Sequence, residues 1–167
     1  MHKRLHQSLF ILIMGLVLSA CGFKLRGLYD VPEALRQVSL ESADPQSRLE
    51  PALRSTLEMN QIELTDSARY RLEILSERHT RRTATLTGNA DTAEYELRSE
   101  ARFRVVDRLQ DDTEVMPERR LIVERVYQNE PDNITASGSQ EVQVRQQMVQ
   151  DLAQQIVRQY LSIKSAQ

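Results

Sequence analysis

The only thiol in this 167-residue chain is Cys21, and it closes the run Leu18-Ser19-Ala20-Cys21. An aliphatic residue, two small residues and then Cys is the pattern of a bacterial lipobox. The small side chains let a peptidase approach the backbone, and the thiol takes up diacylglycerol. Upstream lie Lys3, Arg4 and an uncharged apolar run from Leu9 to Leu18. As a helix that run covers about 15 Å, half of a ~30 Å hydrocarbon core, so it suits a secretory signal and not a permanent span. Residues 1–20 are therefore expected to be a signal peptide, with Cys21 the lipidation site of a mature chain. No other cofactor is expected beyond the diacylglycerol and N-acyl chains on Cys21. Gly22 stands where an Asp would favour inner-membrane retention, so the expected destination is the outer membrane.

Other side chains suited to chemistry are few. His79 is the one imidazole outside the first six residues, in Glu77-Arg78-His79-Thr80-Arg81-Arg82, with no second ligand nearby in sequence. It is expected to be a surface histidine and not a base or metal ligand. Glu94, Glu96 and Glu100 alternate along one segment beside Arg98 and Arg102. Their spacing puts them together on one strand face, as a solvated charge ladder. Arg78, Arg81 and Arg82 form the densest basic cluster after the signal, and arginine binds phosphate in bidentate fashion. The cluster is open to two readings, an anion site or a solvated sheet face. Phosphate loops, dinucleotide fingerprints, CxxC pairs and nucleophile elbows are missing from the sequence. No catalysis is expected, and a formal net charge of −2 argues against nucleic acid as a partner.

The elements that must position these groups follow from periodicity. Residues 21–36 carry Gly22, Gly27 and Pro32 and are expected to be a lipidated tether, with one domain over 37–167. Gln37–Glu41 is expected to be a short strand, and a helix is expected from about Ser47, with Leu49, Leu53 and Leu57 as its core stripe. Tyr70, Leu72 and Ile74 alternate within Arg69–Leu75. In Ala93–Val105 the odd residues are apolar or small and the even ones are Glu or Arg, a strand with one buried and one wet face. Turns are expected at Gly88–Asp91 and at Gln110-Asp111-Asp112, a fourth strand over Arg120–Tyr127, and a last helix from about Ser139 to Ile163. Its expected core stripe is Val142, Val149, Leu152, Ile156, Tyr160 and Ile163. The order β-α-β-β-β-α predicts an α+β two-layer sandwich, two helices on one face of a four-stranded, mostly antiparallel sheet. The uncovered Glu/Arg face would then meet either bulk water or the inside of a water-filled barrel.

Cys21-Gly22-Phe23-Lys24-Leu25-Arg26-Gly27, Asp44-Pro45 before the first helix, Thr92-Ala93-Glu94-Tyr95 opening a strand, and the Gln-rich last helix resemble the LptE (RlpB) family of lipopolysaccharide-assembly lipoproteins. The resemblance implies a non-enzymatic outer-membrane lipoprotein on the periplasmic side. It would plug the LptD β-barrel, assist its assembly, and act in delivering lipopolysaccharide to the outer leaflet. It also implies basic lipopolysaccharide contacts at the tip before Thr-Ala-Glu-Tyr and at the start of the last helix. Here those positions are Thr87-Gly88-Asn89-Ala90 and Ala136-Ser137-Gly138-Ser139, with no basic residue. Any such contact is expected to fall to Arg78, Arg81, Arg82 or Arg98. A different class of function, a free-standing lipoprotein that binds lipid or regulates an envelope enzyme, is the alternative expectation.

Overall fold

The computed structural model describes residues 31–86, 88, 92–129 and 134–163. The expected signal peptide, the expected lipidation site Cys21, Gly22 and the expected tether up to residue 30 lie outside these.

Chain order is a 3-10 turn (Glu33–Leu35), β1 (Gln37–Ser42), α1 (Leu49–Met59), β2 (Glu63–Leu64), β3 (Tyr70–Leu86), β4 (Thr92–Asp107), β5 (Thr113–Gln128) and α2 (Ile134–Leu161). The strands form one sheet in the order β2-β1-β3-β4-β5, and α1 and α2 pack on each other and on one sheet face. The α+β class is as expected, whereas the strand count and pairing differ. The described residues form five strands, and β1 runs parallel to both β2 and β3. The reason is the crossover: a strand that returns through a helix lies parallel to its neighbour, and only the tight turns of β3-β4-β5 give antiparallel pairs.

Helix α1 forms where the sequence places Leu49, Leu53 and Leu57, all fully buried. The Ser47 hydroxyl accepts the Glu50 N–H at 3.1 Å, closing the first turn. The helix ends without glycine. Gln61 takes φ 60°, so that Gln61 N–H reaches Glu58 O at 2.9 Å and Ile62 N–H reaches Leu57 O at 3.0 Å. This is a Schellman stop with Ile62 packed back against Leu57. The reversal aims Glu63 and Leu64 alongside β1, which makes the fifth strand.

Strand β3 is far longer than Arg69–Leu75, because it runs through a bulge. Ile74 pairs Phe103 but Ser76 pairs Arg102, leaving Leu75 as the extra residue. The bulge exchanges the faces: Tyr70, Leu72 and Ile74 point to the helices before it, and Glu77, His79, Arg81 and Thr83 after it. Strand β5 also begins earlier than Arg120, at Thr113, with Pro117 tolerated on an edge. Segment 31–36, expected to be tether, belongs partly to the core: Leu35 is fully buried, and the Tyr160 hydroxyl donates to Leu35 O at 3.1 Å. Helix α2 begins at Ile134, and its core stripe runs through Met148, Val149, Leu152, Ala153, Ile156, Val157 and Tyr160. Val142 does not join it and stands exposed, because over the outer part of the sheet the helix seats Glu141, Val144 and Arg145 instead.

Candidate functional site

The outer half of the sheet carries the chemistry-bearing residues, and its two faces do different things. On the face away from the helices, no described element covers the side chains. Register sets Arg78 opposite Glu100, Thr80 opposite Arg98 and Arg82 opposite Glu96. Arg98 therefore sits diagonally between Arg78 and Arg82, within reach of one shared ligand. Arg81 points to the other face, so the sequence cluster is split.

The outer face is a charge ladder. Arg82 holds Glu96 with a two-pronged pair, Nε to Oε1 at 2.7 Å and Nη2 to Oε2 at 2.8 Å. Arg120 grips Glu100 at 2.6 and 2.7 Å, and Arg98 reaches Glu124 at 2.7 Å. Further along, Arg104 bridges Glu73 at 2.6 Å and Glu114 at 2.9 Å. The guanidinium bonds hold Glu96 and Glu100 below the usual carboxylate range. The face thus combines high polarity with near-balanced charge. Of the described arginines on this face, Arg82, Arg98, Arg102, Arg104 and Arg120 all hold a carboxylate and Arg78 does not, which leaves Arg78 the guanidinium on this face most available to an outside anion.

On the helix side a second cluster ties sheet to α2. Glu141 accepts the Tyr127 hydroxyl at 2.5 Å, Arg81 Nη1 at 2.8 Å and Arg145 Nε at 2.8 Å. Burial pushes the Glu141 carboxyl up, but the bonds from Tyr127, Arg145 and Arg81 outweigh it and bring the carboxyl down to about 2. Burial and Glu141 together push the Tyr127 phenol up to about 12. Arg81 also lies 4.5 Å over the Tyr95 ring, which packs against Tyr127. Arg81 is committed to this internal cluster, not to an outside ligand.

His79 is not the surface histidine that the sequence suggests. Its Nε2 donates to Glu77 Oε1 at 2.5 Å, and its Nδ1 meets the Ser99 hydroxyl at 2.8 Å. The Ser-His-Glu chain looks like hydrolytic machinery, yet Ser99 is fully buried and cannot meet a substrate. Its work is structural. The other Glu77 oxygen accepts the Ser47 hydroxyl at 2.7 Å, Arg48 N–H at 3.1 Å and Leu49 N–H at 3.2 Å, capping α1 from a neighbouring strand. Burial pushes the Glu77 carboxyl up, but the hydrogen bonds from His79, Ser47 and Leu49 together hold it below its ordinary range. Neither of these clusters is visible in sequence, since their members lie on different elements. Above His79 an open groove of about 1090 Å³ separates α1 from α2, walled by Pro51, Val142, Arg145 and Val149.

Cys21 and the tip residues 87 and 89–91 lie outside the described residues. Ser137, expected in the segment entering the last helix, is buried in its first turns.

The sequence profile of a family described as LptE, lipopolysaccharide-assembly, matches residues 35–160. The LPS-assembly lipoprotein LptE of Pectobacterium atrosepticum is 31% identical, covering 98% of this chain and 90% of its own. That of Yersinia enterocolitica is 29% identical, covering 98% and 80%. Among solved structures, a minor lipoprotein from Acinetobacter baumannii superimposes with TM-score 0.65 at 28% identity, over 78% of this chain and 94% of that one. The rare lipoprotein B of Shewanella oneidensis gives TM-score 0.66 at 24% identity, over 75% and 94%, a likeness of fold. A profile match over most of the domain, and relatives aligned along nearly the whole length, place this chain in the LptE family of lipopolysaccharide-assembly lipoproteins.

Proposed function

We propose that the mature protein is a lipoprotein, anchored through acyl chains on Cys21 to the periplasmic leaflet of the outer membrane. There it plugs an LptD-type β-barrel, assists that barrel's assembly, and so helps lipopolysaccharide reach the outer leaflet. The observation that carries this reading is the uncovered outer sheet face. It is built of paired Arg and Glu, with Arg82–Glu96, Arg120–Glu100 and Arg98–Glu124 as its rungs. The lumen of a large membrane barrel is polar and wet, and a ladder with its charges already paired enters such a lumen without demanding matched counter-charges from the wall. No described helix is long and apolar enough to cross a membrane, so in this reading attachment depends on the lipid. The protein acts by binding, with no catalytic step.

Purification of the tagged chain from detergent-solubilised outer membrane tests the reading. A large barrel protein should come with it, and recovery of the chain alone refutes the plug role. Cys21→Ala tests the anchor: mass spectrometry should find an uncleaved, unlipidated precursor. Direct lipopolysaccharide contact in this reading falls to Arg78, with Arg82 and Arg98 beside it. Arg78→Glu with Arg82→Glu should weaken lipopolysaccharide binding most at low salt, because exposed phosphate contacts are screened. Equal binding by parent and double variant at low and high salt would remove the contact from this face.

A further inference from the structure

Register lays three cross-strand rows over the outer half of the sheet. Arg78 stands opposite Glu100 and Arg82 opposite Glu96, and between them Thr80 stands opposite Arg98. Residues two apart on β3 are separated by about 6.6 Å, and facing residues on β3 and β4 by ~5 Å. Thr80 is exposed, and among the described residues no hydrogen bond occupies its hydroxyl. Its short side chain forms the floor of a shallow cradle, with the long side chains of Arg78, Arg98 and Arg82 as its neighbours on three sides.

The charges around this floor do not cancel. Arg82 is spent on Glu96 and Arg98 on Glu124, while Glu100 is held by Arg120, with Arg98 and Arg102 each at 3.7 Å. Among the described residues no acceptor engages the Arg78 guanidinium. An uncompensated guanidinium beside a free hydroxyl suits a phosphate, whose oxygens accept from both at once. The surroundings are polar as well. A carboxylate has about four acceptor sites, so Glu96 and Glu100 keep lone pairs for hydroxyl donors after their arginine forks are filled. The exposed apolar side chains of this face, Ile122 and Val126, belong to β5, two strands away from Thr80. A phosphate whose own neighbours are hydroxyl groups, and not acyl chains, matches this floor.

We propose that this cradle holds the phosphate of a phosphorylated sugar, with Arg78 as its cation and the Thr80 hydroxyl as a positioning donor. The proposal rests on the reading that the protein meets lipopolysaccharide inside a wet lumen. It names the part of that ligand which this face takes: the phosphorylated saccharide, not the acyl chains. The two agree physically, because a face whose other charges are already paired leaves water beside it, and a hydrophilic sugar chain enters that water without being dehydrated throughout.

Lipopolysaccharide stripped of its acyl chains supplies a soluble probe, and the same saccharide with its phosphates removed supplies the control. Binding to the full mature chain in detergent is followed by titration calorimetry at low salt. The phosphorylated saccharide should bind, and the dephosphorylated one about tenfold more weakly or worse, as expected for a lost charge-assisted contact. Thr80→Val keeps the branched shape and should weaken binding about threefold to tenfold, whereas Thr80→Ser should restore it to within about twofold. Inorganic phosphate should compete only at far higher concentration than the saccharide. Equal binding of the two saccharides, equal binding by parent and T80V, or competition by inorganic phosphate at the saccharide's own concentration overturns the proposal. Co-purification separates this from the reading beneath it. A chain that brings a large barrel protein with it but does not distinguish the saccharides loses the cradle alone. A chain that brings no barrel loses the lumen reading, and the titration still decides the cradle.

Discussion

Glu141→Gln isolates the cluster that joins α2 to the sheet. Glutamine keeps the shape of the side chain but turns one accepting oxygen into an amide, which then faces either Arg81 and the Tyr127 hydroxyl or Arg145. The Glu141 carboxyl drops from an ordinary 4.5 to about 2, about 3 kcal/mol at roughly 1.4 kcal/mol per unit. Its side chain is only 17% exposed, but Arg81 is 47% exposed, and solvent screening brings the figure to about 2 kcal/mol. The sign follows from the direction of the shift. A carboxyl whose folded pKa is depressed stabilises the fold fully above about 4.5, and loses that contribution as pH falls towards 2. Urea unfolding of the mature chain, followed by circular dichroism, should show the variant's midpoint lower by about 1 M at pH 7, for a slope near 2 kcal/mol per molar. At pH 3 the gap should be clearly smaller, because the parent has lost much of its advantage. A variant with the parent's midpoint at pH 7, or a gap that does not narrow between pH 4.5 and 3, would refute the assignment of Glu141 as an ionised hub.

Three further outcomes test other parts of the fold. Glu77→Gln should cost about 1–3 kcal/mol, the range for disturbing a buried charge-assisted acceptor, and should speed hydrogen exchange at the Leu49 amide in the first turn of α1. Leu53→Ala removes a fully buried side chain from the centre of the α1 stripe and should lower stability by about 2–5 kcal/mol in the same urea assay. Arg82→Ala should change stability by less than about 1 kcal/mol despite its two short bonds to Glu96, since exposed ion pairs contribute little; a larger loss would mean that the outer ladder holds the sheet together.

Local pattern was enough to reveal much of this architecture. Leu49, Leu53 and Leu57 marked α1, and the odd–even contrast over Ala93–Val105 marked both faces of β4, because burial of one face imposes a period that a short window can carry. The outer half of β3 was illegible for a definite reason. From Glu77 to Thr83 both faces are polar, so no apolar period exists, and the bulge at Leu75 shifts the phase without a glycine to signal it. The end of α1 was hidden in the same way, since Gln61 occupies a left-handed position where glycine is usual. Strand β2 could not be seen because two residues carry no period at all; its existence depends on the Schellman reversal that lays Glu63 and Leu64 beside β1.

The candidate site divides along the same physical line. Which face a charge occupies is a local matter, and the pairing of Arg78 and Arg82 on one face with Arg81 on the other follows from alternation alone. Which partner a charge meets is set by register and by elements far apart in the chain. Arg81 finds Glu141 sixty residues later, and Glu77 finds the backbone of α1 nearly thirty residues earlier. Of the three arginines that the sequence presents as one basic cluster, one is therefore spent on packing, one on a cross-strand pair, and only Arg78 stands open. Paired charges keep the outer face polar without a strong field of either sign, and among its described arginines Arg78 alone is left without a carboxylate partner.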